Sequence, residues 1–365
     1  MNAINDTMAD TASRSAATTD ARRPIALWLL ICCAMIYGMV ILGGLTRLTG
    51  SGLSMVRWNP IFGIVPPLSQ SAWQKAFTQY QKSPEYREVN FQMDLAGFKR
   101  IYYVEYAHRV LGRTIGLVFL VPFLYFWVRR KIPRGLSPRL VTMFILGGLQ
   151  GLLGWYMVKS GLVNVPHVSQ YRLTAHLGLA LIIYVFILWT ALDLLLTSSQ
   201  AMPARGLRGL RRFATAVACL VFVTMLAGGF VAGLKAGFAY NTFPLMDGRW
   251  VPLNMFLLQP FWRNFFENIA TVQFDHRVLA ILTFLSVCSL WLVARRYTLA
   301  RRARIGLNLW VAMVFVQVGL GISTLLLYVP TPLASAHQAG AVALLTLAVF
   351  TVHELRSGGA AGGAV

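Results

Sequence analysis

Acidic residues are the scarcest chemical class in this chain. Only 12 Asp and Glu occur among 365 residues, against 33 Lys and Arg, giving a formal net charge of +21. Charged residues of both signs make up 12% of the chain, about half the share in ordinary globular domains. That excludes a normal water-facing surface. The basic excess does not form a nucleic-acid face either. Its Lys and Arg fall in short runs between long apolar segments, the positive-inside pattern of membrane proteins. Cysteine is also scarce: Cys32, Cys33, Cys219 and Cys288 all lie within apolar stretches and form no CxxC. A disulfide framework or a cysteine zinc site has no support, and the four read as small apolar fillers in helices.

Hydrophobic residues are abundant, at 57%. A bilayer core takes about 20 apolar residues per helix. Runs of that kind occupy 24–46, 103–128, 139–158, 173–196, 213–234, 272–294, 305–328 and 333–353. The expected fold is all-α and polytopic, with eight transmembrane helices. The connections RRKIPRGLSPR (129–139), ARGLRGLRR (204–212) and RRYTLARRAR (295–304) are strongly basic and contain no acid, whereas 159–172 and 328–335 are not basic. The basic loops and both termini are therefore expected in the cytoplasm. Residues 1–23 read as a disordered cytoplasmic tail, 197–212 as a basic cytoplasmic linker and 354–365 as a second tail. No small-residue cleavage site follows a short apolar core, so no cleaved signal is expected. Asp6, Asp10 and Asp20 argue against a transit peptide.

The chain repeats itself. GGLTRLTGSGL (43–53) pairs with GGFVAGLKAGF (228–238), and VEYAHRVL (104–111) with VQFDHRVL (272–279). LQGLLG (149–154) pairs with VQVGLG (316–321), and LTAHLGLALI (173–182) with ASAHQAGAVALL (334–345). Four correspondences in one order imply two tandem four-helix bundles, 24–196 and 213–353. Each has an even number of helices, so the copies enter the membrane in the same direction and should be related by a pseudo-twofold along its normal. Transporters also carry such repeats, so duplication alone does not separate transporter from enzyme.

The repeat places His108, His176, His276 and His337 at the starts of the even helices, on the outer side in this topology. An intramembrane imidazole is a candidate functional group, because an unpaired polar ring in hydrocarbon is costly. One such ring could simply sit in the headgroup region; four at one depth, paired across a duplication, favour a site. Zinc needs more ligands than two imidazoles, and soft copper sites would bring Cys or Met. Two axial imidazoles from facing helices suit a haem, whose porphyrin supplies the other ligands. Arg47, Arg109, Arg113 and Arg277 are candidate partners for its propionates, the competing role being snorkelling to headgroups. His167 and His353 have no counterpart in the other half and receive no role.

The halves differ where chemistry is expected. Three residues before His108 stands Glu105, and three before His276 stands Gln273. Glu105 shares a helix face with His108, which points to chemistry in the first half and a redox cofactor in the second. The alternative is that Glu105 merely pairs with Arg109 or Arg113. Asp275, opposite Ala107, could orient an imidazole or pair with Arg277. The outer loop 47–102 is long, with Trp73, Phe77 and Tyr80 at helical spacing before Pro84. It could lie on the membrane as a lid over the first site, or be packing alone.

These residues resemble the haem A synthase family, of bacterial and mitochondrial type. The likeness covers nearly the whole chain, through GGLTRLTGSGLSMVRWNPIFGIVPP, FKRIYYVEYAHRVLGR, TAHLGLAL, FDHRVLA and AHQAGAVALL. It implies oxidation of the C8 methyl of haem O to a formyl group, giving haem A for terminal oxidase assembly, with water as the oxygen source. It implies His108 and His176 as axial ligands of the substrate haem in the N-terminal half, and His276 and His337 as ligands of a haem b cofactor in the C-terminal half. Glu105 matches the family's catalytic carboxylate, acting in proton handling or in stabilising a cationic intermediate. The chain lacks the outer-loop cysteine pair of some bacterial members and resembles the proteobacterial branch. The implied setting is the bacterial inner membrane, haem sites toward the periplasm, with haem O synthase and cytochrome oxidase assembly factors as partners and homo-oligomerisation open. The competing functions are a dihaem b-type electron-transfer protein handling quinone, and a membrane transporter.

Overall fold

The computed structural model describes residues 21–56, 64–162, 166–196 and 207–357. The first 20 residues of the tail expected over 1–23, the first ten residues of the basic linker and the part of the second expected tail from 358 onward lie outside them. Eight helices are long and apolar enough to cross a membrane: α1 (Arg22–Leu48), α2 (Leu95–Val128), α3 (Ser137–Leu162), α4 (Gln170–Leu195), α5 (Arg208–Gly233), α6 (Ile269–Ala294), α7 (Arg301–Leu326) and α8 (Thr331–Ser357). Among the described residues there is no strand. Every expected span is present, and most helices run a few residues past their apolar runs. α5 begins inside the expected linker and α8 continues into the expected tail, because Arg, Leu and Glu propagate a helix readily once it has started.

Local chemistry sets several ends. Asp94 caps α2 by accepting from the Gly97 amide at 2.7 Å, and Asn268 caps α6 through Thr271 at 3.1 Å, satisfying donors left over in the first turn. Gly50, at φ +64°, turns the chain out of α1 through the left-handed region that glycine enters without cost.

The same neighbours recur in each half. α1 packs on α2 and α4, α3 on α2 and α4; likewise α5 packs on α6 and α8, α7 on α6 and α8. Between halves α4 meets α5, α8 meets α1, and α4 meets α8. The main apolar core accordingly lies among α1, α4, α5 and α8, with Leu29, Leu181, Ala214 and Val342 fully enclosed. Polar bonds cross the same seam: Tyr37 Oη donates to Ala339 O at 2.9 Å, Gln338 Nε2 to Val40 O at 2.7 Å, and Tyr184 and Thr346 hydroxyls lie 2.7 Å apart. Such bonds within a bilayer contribute about 0.6 kcal/mol each.

α2 has 34 residues, a length of roughly 51 Å against a hydrocarbon core of about 30 Å. Its projecting end carries the long connection from α1. A short helix, Gln70–Tyr80, is capped by Ser69, and a second, Pro84–Glu88, is capped by Ser83 with Pro84 in the first turn. The stripe Trp73, Phe77 and Tyr80 turns onto Phe98 and Tyr102 of α2, with Tyr80 and Phe98 rings 5.0 Å apart. Within the described residues the loop is thus a cap on α2. The connection between α5 and α6 leaves several large apolar residues exposed instead: Trp250 and Leu253 are 74% and 70% exposed.

Candidate functional site

Each half brings its two histidines together. His108 of α2 and His176 of α4 lie close enough for one ring's charge to act on the other, as do His276 of α6 and His337 of α8. All four rings are half-buried. Each faces a glycine on the preceding odd helix. A methyl group on Gly43 would stand 3.5 Å from His108 Nε2, and one on Gly228 would stand 3.1 Å from His276 Cε1. On Gly154 and Gly321 it would stand 2.9 Å from Cε1 of His176 and His337, closer than packed carbons tolerate. These four glycines form the seats of the four imidazoles; at Gly154, Gly228 and Gly321 a methyl group would crowd the ring, while at Gly43 it would make ordinary contact.

Two nitrogens, Nδ1 of His176 and Nδ1 of His276, are buried without a hydrogen-bond partner, a costly state unless a metal or a donor meets the ring. Among the described residues no three His, Cys, Asp or Glu side chains converge as a metal-binding group. Each half therefore presents a pair of imidazoles, the donor set that a haem requires because its porphyrin fills the remaining positions. The residues present fit that group.

One helical turn before His108, Glu105 is 2% exposed and held by four donations. Ser54 Oγ and the Met55 amide each reach Oε2 at 2.7 Å. Arg109 reaches Oε1 through Nε at 2.9 Å and through Nη2 at 2.5 Å. Arg109 Nη2 also donates to Met55 O at 2.9 Å. The ion pair expected as the alternative role of Glu105 therefore exists, and it clamps the start of the α1–α2 connection to α2. The second half builds the same clamp without the charge. Gln273 Nε2 donates to Ala236 O at 2.9 Å, while Arg277 donates to Gln273 Oε1, Tyr240 O and Thr242 O. A recess of about 250 Å³ borders the first clamp, lined by Ser54, Met55, Phe98, Tyr102, Arg109 and Arg113. That is room for several waters at about 30 Å³ each.

Of the four arginines proposed for propionates, Arg109 and Arg277 serve these clamps, Arg113 lines the recess, and Arg47 donates to Ala232 O across the halves at 2.6 Å. Asp275 is half-buried on α6. His167 Nε2 lies 3.1 Å from Gly233 O. His353, 3% exposed, lies 3.1 Å from Asp193 Oδ1 at the end of the bundle away from the four seats, where Arg139 and Arg356 also reach Asp193.

The sequence reading missed three groups. Glu85 in the loop cap is buried and accepts from Tyr80 Oη at 3.3 Å, while Asn90 Nδ2 donates to that oxygen at 2.7 Å. Burial pushes its carboxyl up to about 7, the Tyr80 hydrogen bond opposes, and the charge of Glu105 adds to the rise. Burial likewise raises the Tyr80 hydroxyl. The glycine seats and the glutamines Gln150 and Gln317 are the other two groups. Gln150, Gly154, Gln317 and Gly321 lie in the repeated LQGLLG and VQVGLG phrases, and Gly43 and Gly228 open the repeated GGLTRLTGSGL and GGFVAGLKAGF, so superposing the two copies residue by residue exposes them.

Comparison with known proteins identifies the family. A family model described as cytochrome oxidase assembly protein matches residues 26–349. The chain is 54% identical over 335 residues to the Heme A synthase of Nitrosospira multiformis, covering 92% of this chain and 94% of that protein. It is 50% identical over 342 residues to Heme A synthase COX15 of Bos taurus, covering 92% and 83%, and 49% identical over the same length and shares to Heme A synthase COX15 of Homo sapiens.

Proposed function

The chain belongs to the haem A synthase family of cytochrome oxidase assembly proteins, and from that premise we propose that it is a multi-pass membrane oxidoreductase converting haem O to haem A. Its substrate haem is held by His108 and His176 in the half 24–196. A haem b is held by His276 and His337 in the half 213–353, and when bound it would supply one-electron redox chemistry. The two halves are related by a pseudo-twofold along the membrane normal. The basic loops and both chain ends face the cytoplasm and the histidine seats face outward. Haem O synthase and oxidase assembly factors are the expected neighbours.

The observation that carries the reading is a matched set of imidazole pairs with one carboxylate out of register. Both halves offer two histidines in glycine seats; only the first sets a charged Glu105 where the second sets Gln273. Oxidising the substrate methyl to a formyl group releases protons and electrons and consumes water. The recess beside Ser54 and Tyr102 is large enough to hold water beside the Glu105 clamp. Glu105, fixed by Ser54, Met55 and Arg109, supplies the negative charge one helical turn from His108. That charge stabilises positive charge developing on the substrate and is the local acceptor for a released proton. Arg109 orients the carboxylate and fastens the loop.

The test is extraction of porphyrins from the purified protein. Haem A or its hydroxylated precursor in the wild type, and neither in Glu105→Ala, is the expected result. Haem b alone in both proteins would replace the enzyme with an electron carrier, and a protein without a Soret band would replace it with a transporter.

A further inference from the structure

The two halves are closed differently between their second and third helices. On α6, Phe284 shares a ridge with His276, two turns further on. Phe315 of α7 meets it edge to face, with ring centroids 4.9 Å apart. Carried across the repeat, Phe284 falls on Gly116 of α2 and Phe315 on Gly148 of α3. Both rings of the pair are thus glycines in the first half. A methyl group on Gly116 or Gly148 would meet nothing within 4 Å among the described residues. The same holds at Gly147 and Gly151, where the second half has Val314 and Val318. In the first half α2 meets α3 through Phe119 and Phe144 instead, whose rings stack 6.4 Å apart, about one turn further from the histidines. Between that pair and the imidazoles the helices leave a gap, on the ridge that carries His108, Gly112 and Gly116.

Small residues between membrane helices ordinarily let the backbones close on each other; these leave open space. The gap also adjoins an imidazole pair whose His176 Nδ1 is buried without a partner, so it belongs to a site and not to a plain helix contact. The haems assigned to the two halves differ in one respect that bears on it. Haem O carries a long isoprenoid chain on one pyrrole, where haem b carries a vinyl group. We propose that Gly116 and Gly148, with Gly147 and Gly151, hold open the place of that chain, while Phe284 and Phe315 close the same place in the second half. The tailed porphyrin is then admitted to the first site and refused by the second. The discrimination works by obstruction. Lipid is as apolar as the helix faces, so lodging the chain between α2 and α3 adds little attraction, whereas a pair of rings in its path denies it the site. This selectivity deepens the function proposed above and rests on it.

Chromatography of haems extracted from the purified full-length protein tests this, with haem b per protein as the measure of an intact fold. Gly148→Phe puts the second half's ring into the first. Haem O plus haem A per protein is expected to fall about tenfold or more, with haem b unchanged. Gly148→Ala, whose methyl group has room, should keep all three. The reverse exchange, Phe284→Gly with Phe315→Gly, should admit haem O or haem A to the second half, raising the two together toward about twice the wild-type amount at the expense of haem b. If Gly148→Phe does not accumulate, the reverse exchange decides alone. Undiminished haem O and haem A in Gly148→Phe, an equal loss of haem b in that variant, or a reverse exchange that gains no haem O or haem A would overturn this inference and leave the function standing. A wild type that carries neither haem O nor haem A would overturn the function and this inference with it.

Discussion

Glu105 and Gln273 differ only in an oxygen for an amide nitrogen, and both fasten the preceding connection to an even helix. What the exchange removes is charge. Glu105→Gln copies the second half's solution into the first, so loop and haem should be retained while haem A formation falls about 10²–10⁴-fold. Chromatography of extracted haems reads both quantities, and undiminished haem A in this variant would reduce Glu105 to a fastener. The glycine seats allow an equally local prediction. Gly321→Ala places a methyl group 2.9 Å from the His337 ring, whereas Gly319→Ala, two residues away, meets nothing within 4 Å. Soret absorbance per protein should drop for the first and hold for the second. Alanine favours the helix by about 1 kcal/mol at either position, so loss in Gly321→Ala alone would come from the seat.

At the scale of elements, the loop cap over α2 is held by aromatic packing around one buried acid. The folded value of Glu85, about 7, lies above its ordinary 4.5. The protonated form is therefore favoured by the fold. Cap stability should fall as pH rises from about 4.5 to about 7 and stay level above that, a change of up to ~3 kcal/mol. Hydrogen exchange of residues 70–90 at pH 5 and pH 8 should show slower opening at pH 5, and Glu85→Gln should remove the difference. An unaltered pH dependence in that variant would assign it to another group. Trp73, packed against Phe98 and Tyr102, is the cap's largest anchor. Trp73→Ala should open the cap locally at a cost of about 3–5 kcal/mol, visible as proteolysis within 70–90 while the bundle stays intact.

For the molecule as a whole, the seam between halves runs through α1, α4, α5 and α8 and brings backbone close to backbone at Gly233. A methyl group there would stand 2.6 Å from Gln170 Cβ and 2.8 Å from its Cα, and backbone cannot give way as a flexible side chain can. Gly233→Ala should cost about 1–3 kcal/mol by overpacking and lower the melting temperature in detergent, with haem loss from both halves. Loss confined to one half would show that the halves are energetically independent. The far end of the same seam is tied by Asp193, which His353, Arg139 and Arg356 all approach.

The sequence by itself determined the spans, their number and the duplication, because apolar runs and repeated phrases are local and need no partner to be seen. It also supplied the four histidines and the Glu105–Gln273 contrast, since broken symmetry is visible once two copies are aligned. What only the tertiary structure decided is which surfaces meet. That Arg109 belongs to Glu105 and Met55, that the aromatic stripe of 70–80 turns onto α2, and that Glu85 is buried at all depend on contacts between segments distant along the chain. The glycine seats show the boundary well. A glycine in an apolar helix reads as generic close packing until the ring that needs its missing methyl is brought alongside by another helix.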